Sequence, residues 1–169
     1  PVPRFVAVGV VSAFPQSSYS ALISLTGDRF KTFGYHAYTL LKVEKEPRER
    51  LVPALQYLFT LLRRMHDHGF YHGDVNLGNI LFDAEQKEFR FIDFHRSNSW
   101  GMGRTRDRTV DLSKVHHFLL DYFSRDEWFD LAREPYFRND ERLEMRVKSI
   151  WESVTRERMQ GKAENIARE

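Results

Sequence analysis

Residues 72–82 read His-Gly-Asp-Val-Asn-Leu-Gly-Asn-Ile-Leu-Phe, and residues 91–94 read Phe-Ile-Asp-Phe. Asp74, Asn79 five positions on and a second acid at Asp93 are the side chains that phosphoryl transfer asks for. A carboxylate on a loop, as at Asp74, can orient an attacking hydroxyl and accept its proton. Asn79 supplies a neutral amide oxygen and Asp93 a carboxylate. Both are hard donors suited to magnesium (Mg2+), which takes one or two protein ligands and fills its octahedron with phosphate and water.

For this chemistry to work, Asp93 must return beside Asn79. Residues 79–82 and 88–93 are apolar, strand-like runs joined by the polar turn 83–88, so a β-hairpin is predicted. In front of the loop, Leu51, Leu55, Leu58, Leu62 and Met65 recur at three- and four-residue steps. That spacing predicts a helix over residues 48–68 with one apolar face, ended by Gly69. His66 and His68 near its end read as dipole-favoured surface or capping residues. A calcium loop running from Asp74 to Glu85 is excluded, because Asn79 stands where such a loop needs Gly and strands flank it in place of helices.

The pattern His-x-Asp-x-x-x-x-Asn followed by Ile-Asp-Phe resembles the catalytic and metal-binding loops of the protein-kinase-like superfamily. Its details, His-Gly-Asp-x-Asn-x-x-Asn-Ile-Leu and then Phe-Ile-Asp-Phe-His-Arg-Ser, are most similar to the bacterial lipopolysaccharide kinases, which phosphorylate heptose or Kdo sugars of the lipid A core. Weaker agreement runs from about residue 3 to about residue 130. The resemblance implies an α+β fold: a mainly helical kinase-like large lobe with short β-hairpins (residues 28–169) and a remnant small-lobe hairpin and hinge (residues 1–27). It implies Asp74 as catalytic base, Asn79 and Asp93 as magnesium ligands, and ATP as co-substrate. Ser24, Leu25 and Thr26 become the hinge that meets adenine, although an ordinary exit from a strand reads equally well there. His72 and Asp111 become supports of the loop, with Asp111 bracing it through backbone hydrogen bonds; a first-turn acid of the next helix is the simpler alternative.

Departures from the family carry information too. Residues 1–23 hold Arg4 as their only charge and contain neither a Lys nor a Gly-rich phosphate lid. Gly73 stands where many protein kinases have the Arg that contacts a phosphorylated activation segment. Only 17 residues lie between Asp93 and Asp111, which leaves little room for a peptide-docking platform, so the implied acceptor is a sugar or other small-molecule hydroxyl.

Composition fits a globular chain. Of 169 residues, 41% are apolar and 14% aromatic, enough to bury a core within one domain and a small appendage. The absence of cysteine rules out a disulfide framework or a cysteine-ligated zinc site. No apolar run has the length of a membrane span, and the first residues lack the shape of a signal peptide. The expected location is the cytoplasm, with peripheral contact at the inner membrane. A sequence pI near 9.0 with a net charge of +2 suits anionic partners. Nucleotide, phosphorylated glycolipid and an acidic membrane surface fit; a nucleic acid is not implied.

The remaining elements come from pattern. Residues 4–11 and 19–25 read as a hairpin, and residues 35–45 as a short helix that Pro47 breaks. Arg96, Arg104, Arg106 and Arg108 lie in a basic loop able to hold substrate phosphates by bidentate contacts, or simply to stay solvated. Residues 110–123 read as a helix with Leu112, Val115, Leu119 and Phe123 on one face. Ser124-Arg-Asp-Glu127 is a capping box, and a last helix is predicted over residues 139–160, with residues 161–169 fraying. The leading expectation is an ATP-dependent sugar kinase of the lipopolysaccharide core. The alternatives are an aminoglycoside- or choline-type small-molecule kinase and a pseudokinase or truncated kinase-like binding module without turnover.

Overall fold

The computed structural model describes residues 30–43, 47–97 and 105–166. The hairpin expected over residues 4–25, the hinge residues Ser24, Leu25 and Thr26, and Arg104 lie outside the described residues. Strand β1 (Lys31–Thr32) leads into helix α1 (Phe33–Val43) and then α2 (Pro47–Asp67). Pro47 is the first residue of α2, a position where the missing N–H costs nothing and the fixed φ suits the helix.

The apolar stripe of α2 forms the centre of the core. Leu51, Leu55, Leu58, Phe59 and Leu62 are each fully buried, and burying one such side chain is worth about 1.5–3 kcal/mol. Gly69 ends the helix at φ +74°. Its N–H reaches His66 O at 3.1 Å and Phe70 N–H reaches Met65 O at 3.1 Å, the paired bonds of a Schellman turn. The turn aims the chain into the loop that carries Asp74.

Strands β2 (Ile80–Asp83) and β3 (Glu88–Phe91) form the expected hairpin, paired Ile80 with Phe91 and Asp83 with Glu88. Asp83 Oδ1 accepts from Glu85 N and Gln86 N at 3.0 and 3.1 Å, which folds the turn. Strand β1, which the sequence pattern did not suggest, adds antiparallel to the other edge of β2 and gives the order β1-β2-β3. Two residues are too few to carry an alternation.

Helix α3 spans Thr105–His117, shifted five residues toward the N-terminus from its predicted start and stopping earlier. Leu112, Val115, Leu119 and Phe123 are all buried as anticipated. The last two arrive through successive turns rather than a helix: Leu119 N bonds His116 O at 2.8 Å and Phe123 N bonds Leu119 O at 2.9 Å. Ser124 and Glu127 make the reciprocal capping box that opens α4 (Arg125–Ala132). A π-helical turn, Arg133–Phe137, comes next. Helix α5 runs from Glu141 to Ile166, past the predicted end at residue 160. It packs on α3, and Trp128 and Phe129 of α4 tie the core together, with Phe59 against Trp128 at 4.7 Å and Phe129 against Trp151 of α5 at 5.0 Å between ring centres.

Candidate active site

Asp111 organises the loop from beneath. It is the seventh residue of the thirteen in α3, fully buried, so it is not a first-turn acid. Its Oδ1 accepts from Gly73 N at 2.9 Å, and its Oδ2 accepts from His72 N at 3.0 Å and from His66 Nε2 at 3.1 Å. A charged acceptor on two successive backbone N–H groups is a strong clamp. It holds the two residues before Asp74 to the middle of a packed helix.

His66 corrects its predicted surface role. The ring is buried, donates to Asp111 from Nε2 and accepts from the Tyr136 hydroxyl at Nδ1, 2.6 Å away. Burial holds its pKa below the ordinary histidine value, with the Asp111 contact acting in the opposite sense. Arg108 is likewise not free to hold substrate. It is buried, and its guanidinium bonds His66 O at 3.1 Å and Asp67 Oδ1 at 3.2 Å. His68 does cap its helix, its Nδ1 meeting Arg64 O at 2.7 Å.

His72 joins the two halves of the site. Its Nε2 meets the Ile92 carbonyl at 3.0 Å and its Nδ1 accepts from Asp74 N at 3.3 Å. A carbonyl can only accept, so the ring proton is on Nε2. Ile92 N in turn donates to Asn79 O at 3.0 Å, which brings the residue before Asp93 against Asn79. Asn76 shapes the intervening turn, its Oδ1 accepting from Gly78 N and Asn79 N at 2.9 and 3.1 Å. Asn79 Nδ2 donates to Asp74 O at 3.0 Å, which leaves its Oδ1 available as an oxygen ligand.

Asp93 is held at φ +63°, a left-handed conformation that Asp tolerates better than most side chains. Its Oδ1 is hydrogen-bonded by His95 Nδ1, and His95 Nε2 accepts from Arg96 Nε at 3.2 Å. Ligand atoms of Asp74, Asp93 and His95 lie within 4.8 Å of one another. Asp93 offers a carboxylate and Asn79 an amide oxygen, hard donors of the kind magnesium takes, so the residues present fit that ion.

Lys114 is the side chain that sequence reasoning missed. From α3, one turn beyond Asp111, its ammonium bonds Gly73 O at 2.5 Å and also Asp74 Oδ1. The available signal was its place in Asp111-Leu112-Ser113-Lys114: a cation three positions after a buried acid shares its helix face. Burial would raise the pKa of Asp74. Lys114, and after it Arg96, more than offset this and hold the carboxyl below its usual range.

The structure therefore brings Asp74, Asn79 and Asp93 together over His72 and Asp111, with Arg96 alongside. Arg106 is the exposed second residue of α3. Among the described residues, no helix is long and apolar enough to cross a membrane.

Comparison with known proteins bears on the family and the fold. In Dictyostelium discoideum, a probable serine/threonine-protein kinase, fnkB, is 33% identical over 69 residues, covering 38% of this chain and 13% of its own. The solved structure of WaaP in complex with acyl carrier protein superposes with a TM-score of 0.52 at 21% identity, over 75% of this chain and 58% of that one. The WaaP likeness shows a kinase-like fold, and the chain spans little more than half of WaaP's length. The model of the lipopolysaccharide kinase (Kdo/WaaP) family matches residues 1–136, from the N-terminus through the loop, the hairpin and the bracing helix. The chain belongs to the lipopolysaccharide kinase (Kdo/WaaP) family.

Proposed function

We propose that this chain carries the catalytic lobe of an ATP-dependent kinase that phosphorylates a sugar hydroxyl of the lipopolysaccharide core, with residues 28–169 as the large lobe and residues 1–27 as the end of a small one. The observation that carries this reading is the convergence of Asp74, Asn79 and Asp93 on a loop clamped by Asp111. Family membership supplies the acceptor class.

Asp74 orients the acceptor hydroxyl and takes its proton. A carboxylate held below its usual pKa is a weak base, and it takes the proton as bonding to phosphorus acidifies the hydroxyl that it also positions. Asn79 and Asp93 would hold magnesium, which when bound offsets charge on the β- and γ-phosphates. His72 keeps the Asp74 and Asp93 segments in register through Ile92. Arg96, with Arg104 and Arg106, lies on the segment between Asp93 and Asp111, where guanidinium groups would favour a phosphorylated glycolipid over a neutral sugar. A basic segment of this kind also suits peripheral contact with an anionic membrane face.

The test is transfer of label from γ-labelled ATP to purified core oligosaccharide, with a dephosphorylated core and a neutral sugar as parallel acceptors. Preferential labelling of the phosphorylated core is expected. Equal labelling of all three would point to a small-molecule kinase of broad acceptor range, and ATP binding without any transfer would favour the non-catalytic binding module.

A further inference from the structure

We propose that Lys114 contacts the γ-phosphoryl group of bound ATP and keeps that contact as the group is transferred, a catalytic cation delivered to Asp74 from helix α3 rather than from the loop itself. This rests on the kinase reading above and adds a residue to it.

Residues 72–82 contain no Lys or Arg, so the loop that carries Asp74 brings no positive charge of its own. Lys114 supplies one. Its side chain is 9% exposed, unusual for a residue type that is almost never buried unless paired. Its stem rises from the same helix face as Asp111, and that carboxylate clamps the backbone of His72 and Gly73. One rigid element therefore sets the position of the loop and the position of the cation. The ammonium has three N–H donors. Gly73 O and Asp74 Oδ1 take two of them, and no described acceptor takes the third.

The reaction places a new acceptor there. The acceptor hydroxyl oxygen attacks the γ-phosphorus while the bond from that phosphorus to the β–γ bridging oxygen breaks. ADP leaves with the electron pair, and the hydroxyl proton passes to Asp74. Lys114 forms no covalent bond and gives up no proton. Because Asp74 must touch the attacking hydroxyl, a cation bonded to Asp74 stands beside the phosphorus being attacked. Its third N–H can then meet a non-bridging oxygen of the transferred group, where a positive charge held in place by its own helix stabilises the transition state.

A plainer role fits the same geometry, in which Lys114 only steadies Asp74. The γ-phosphate separates the two. Isothermal calorimetry of this chain with magnesium-ATP and with magnesium-ADP is run on wild type, Lys114→Met and Lys114→Gln, with thermal unfolding of each as the check on folding. A charge-assisted contact to the γ-phosphate implies a loss of magnesium-ATP affinity of roughly tenfold or more in both variants. Magnesium-ADP affinity should stay within about twofold, since ADP lacks the group contacted. Equal effects on both nucleotides, no effect on either, or failure of both variants to fold would assign Lys114 a structural role and overturn the proposal while leaving the kinase reading intact. A wild-type chain that binds neither nucleotide would instead overturn the kinase reading, and the proposal with it.

Discussion

A β-carbon placed on Gly73 would lie 2.3 Å from the carbonyl oxygen of Arg96. The loop carrying Asp74 and the loop after Asp93 thus meet backbone to backbone, and Gly73 stands at φ +72°. Its place in the sequence suggested the loss of an activation-segment contact; the structure gives it a positive job. Gly73→Ala should cost about 1–2 kcal/mol for the left-handed backbone alone, with the displaced Arg96 carbonyl adding to it. At this chain length each kcal/mol lowers Tm by about 2–4 °C. Magnesium-dependent nucleotide binding should fall with it, because Asp74 and Asp93 are forced apart. Unchanged Tm and unchanged binding would contradict the close approach.

Removing the clamp beneath the loop should be more damaging. Asp111→Ala leaves the N–H groups of His72 and Gly73 and the Nε2 proton of His66 without their acceptor. A loss of about 3–5 kcal/mol in urea unfolding is expected, the scale of breaking a buried charged contact. Asp111→Asn keeps one acceptor oxygen and should lose less. A change under about 1 kcal/mol for the alanine variant would show that the loop is held by other means.

Acid should weaken the fold before the carboxylates titrate. His66 and His116 are buried, and burial holds both pKa values below 6.5, against the raising influence of Asp111 on the first and of the Phe123 and Ser124 backbone on the second. Below pH 6.5 the unfolded chain takes up protons that the folded chain refuses. The stability tied to these rings is therefore complete above about pH 6.5 and is lost as pH falls. Thermal unfolding between pH 8 and pH 5 should show Tm dropping below 6.5, with a shallower drop in His66→Gln. A flat profile would mean that the rings take up protons while folded.

The magnesium ligands should reveal themselves through metal dependence. Asp93→Asn and Asn79→Ala are each expected to weaken ATP binding by about tenfold or more when magnesium is present, the scale of losing a charge-assisted contact, and to leave binding in excess chelator unchanged. Calorimetry in both buffers checks this. Micromolar affinity in chelator would show that nucleotide is held without Asn79 and Asp93.

The kinase-like lobe was readable because its signals are local. Leu51 to Leu62 repeat at helical steps, Gly69 stops the helix, and Asp74, Asn79 and Asp93 sit at spacings that a loop and a hairpin fix between them. The resemblance to lipopolysaccharide kinases held for the same reason. What escaped detection depends on distance in sequence. His66 looked like a surface residue until Tyr136, 70 residues away, and Asp111, 45 residues away, closed over it. Lys114 is an ordinary cation in the sequence and reaches Asp74 only when α3 packs under the loop. Arg108 sat among arginines suited to phosphate, yet the acceptors it meets, His66 O and Asp67, lie on a helix more than 40 residues earlier. The ends of α3 and α5 differ from expectation because buried side chains in consecutive turns keep a helical period without a helix, and because the polar stretch after Gly161 carries no stop signal strong enough to end α5.

The measurement that bears most directly on the kinase reading is single-turnover transfer of γ-labelled phosphate from magnesium-ATP to the core oligosaccharide, with wild type compared against Asp74→Asn. The substitution keeps the shape of the side chain and deletes its ability to accept a proton. Transfer by wild type is expected, with a rate loss of about 10²–10⁴-fold in the variant and magnesium-ATP affinity nearly unchanged. Equal transfer rates for the two proteins, or no transfer by wild type under conditions where it binds magnesium-ATP, would contradict the assignment of Asp74 as the catalytic base.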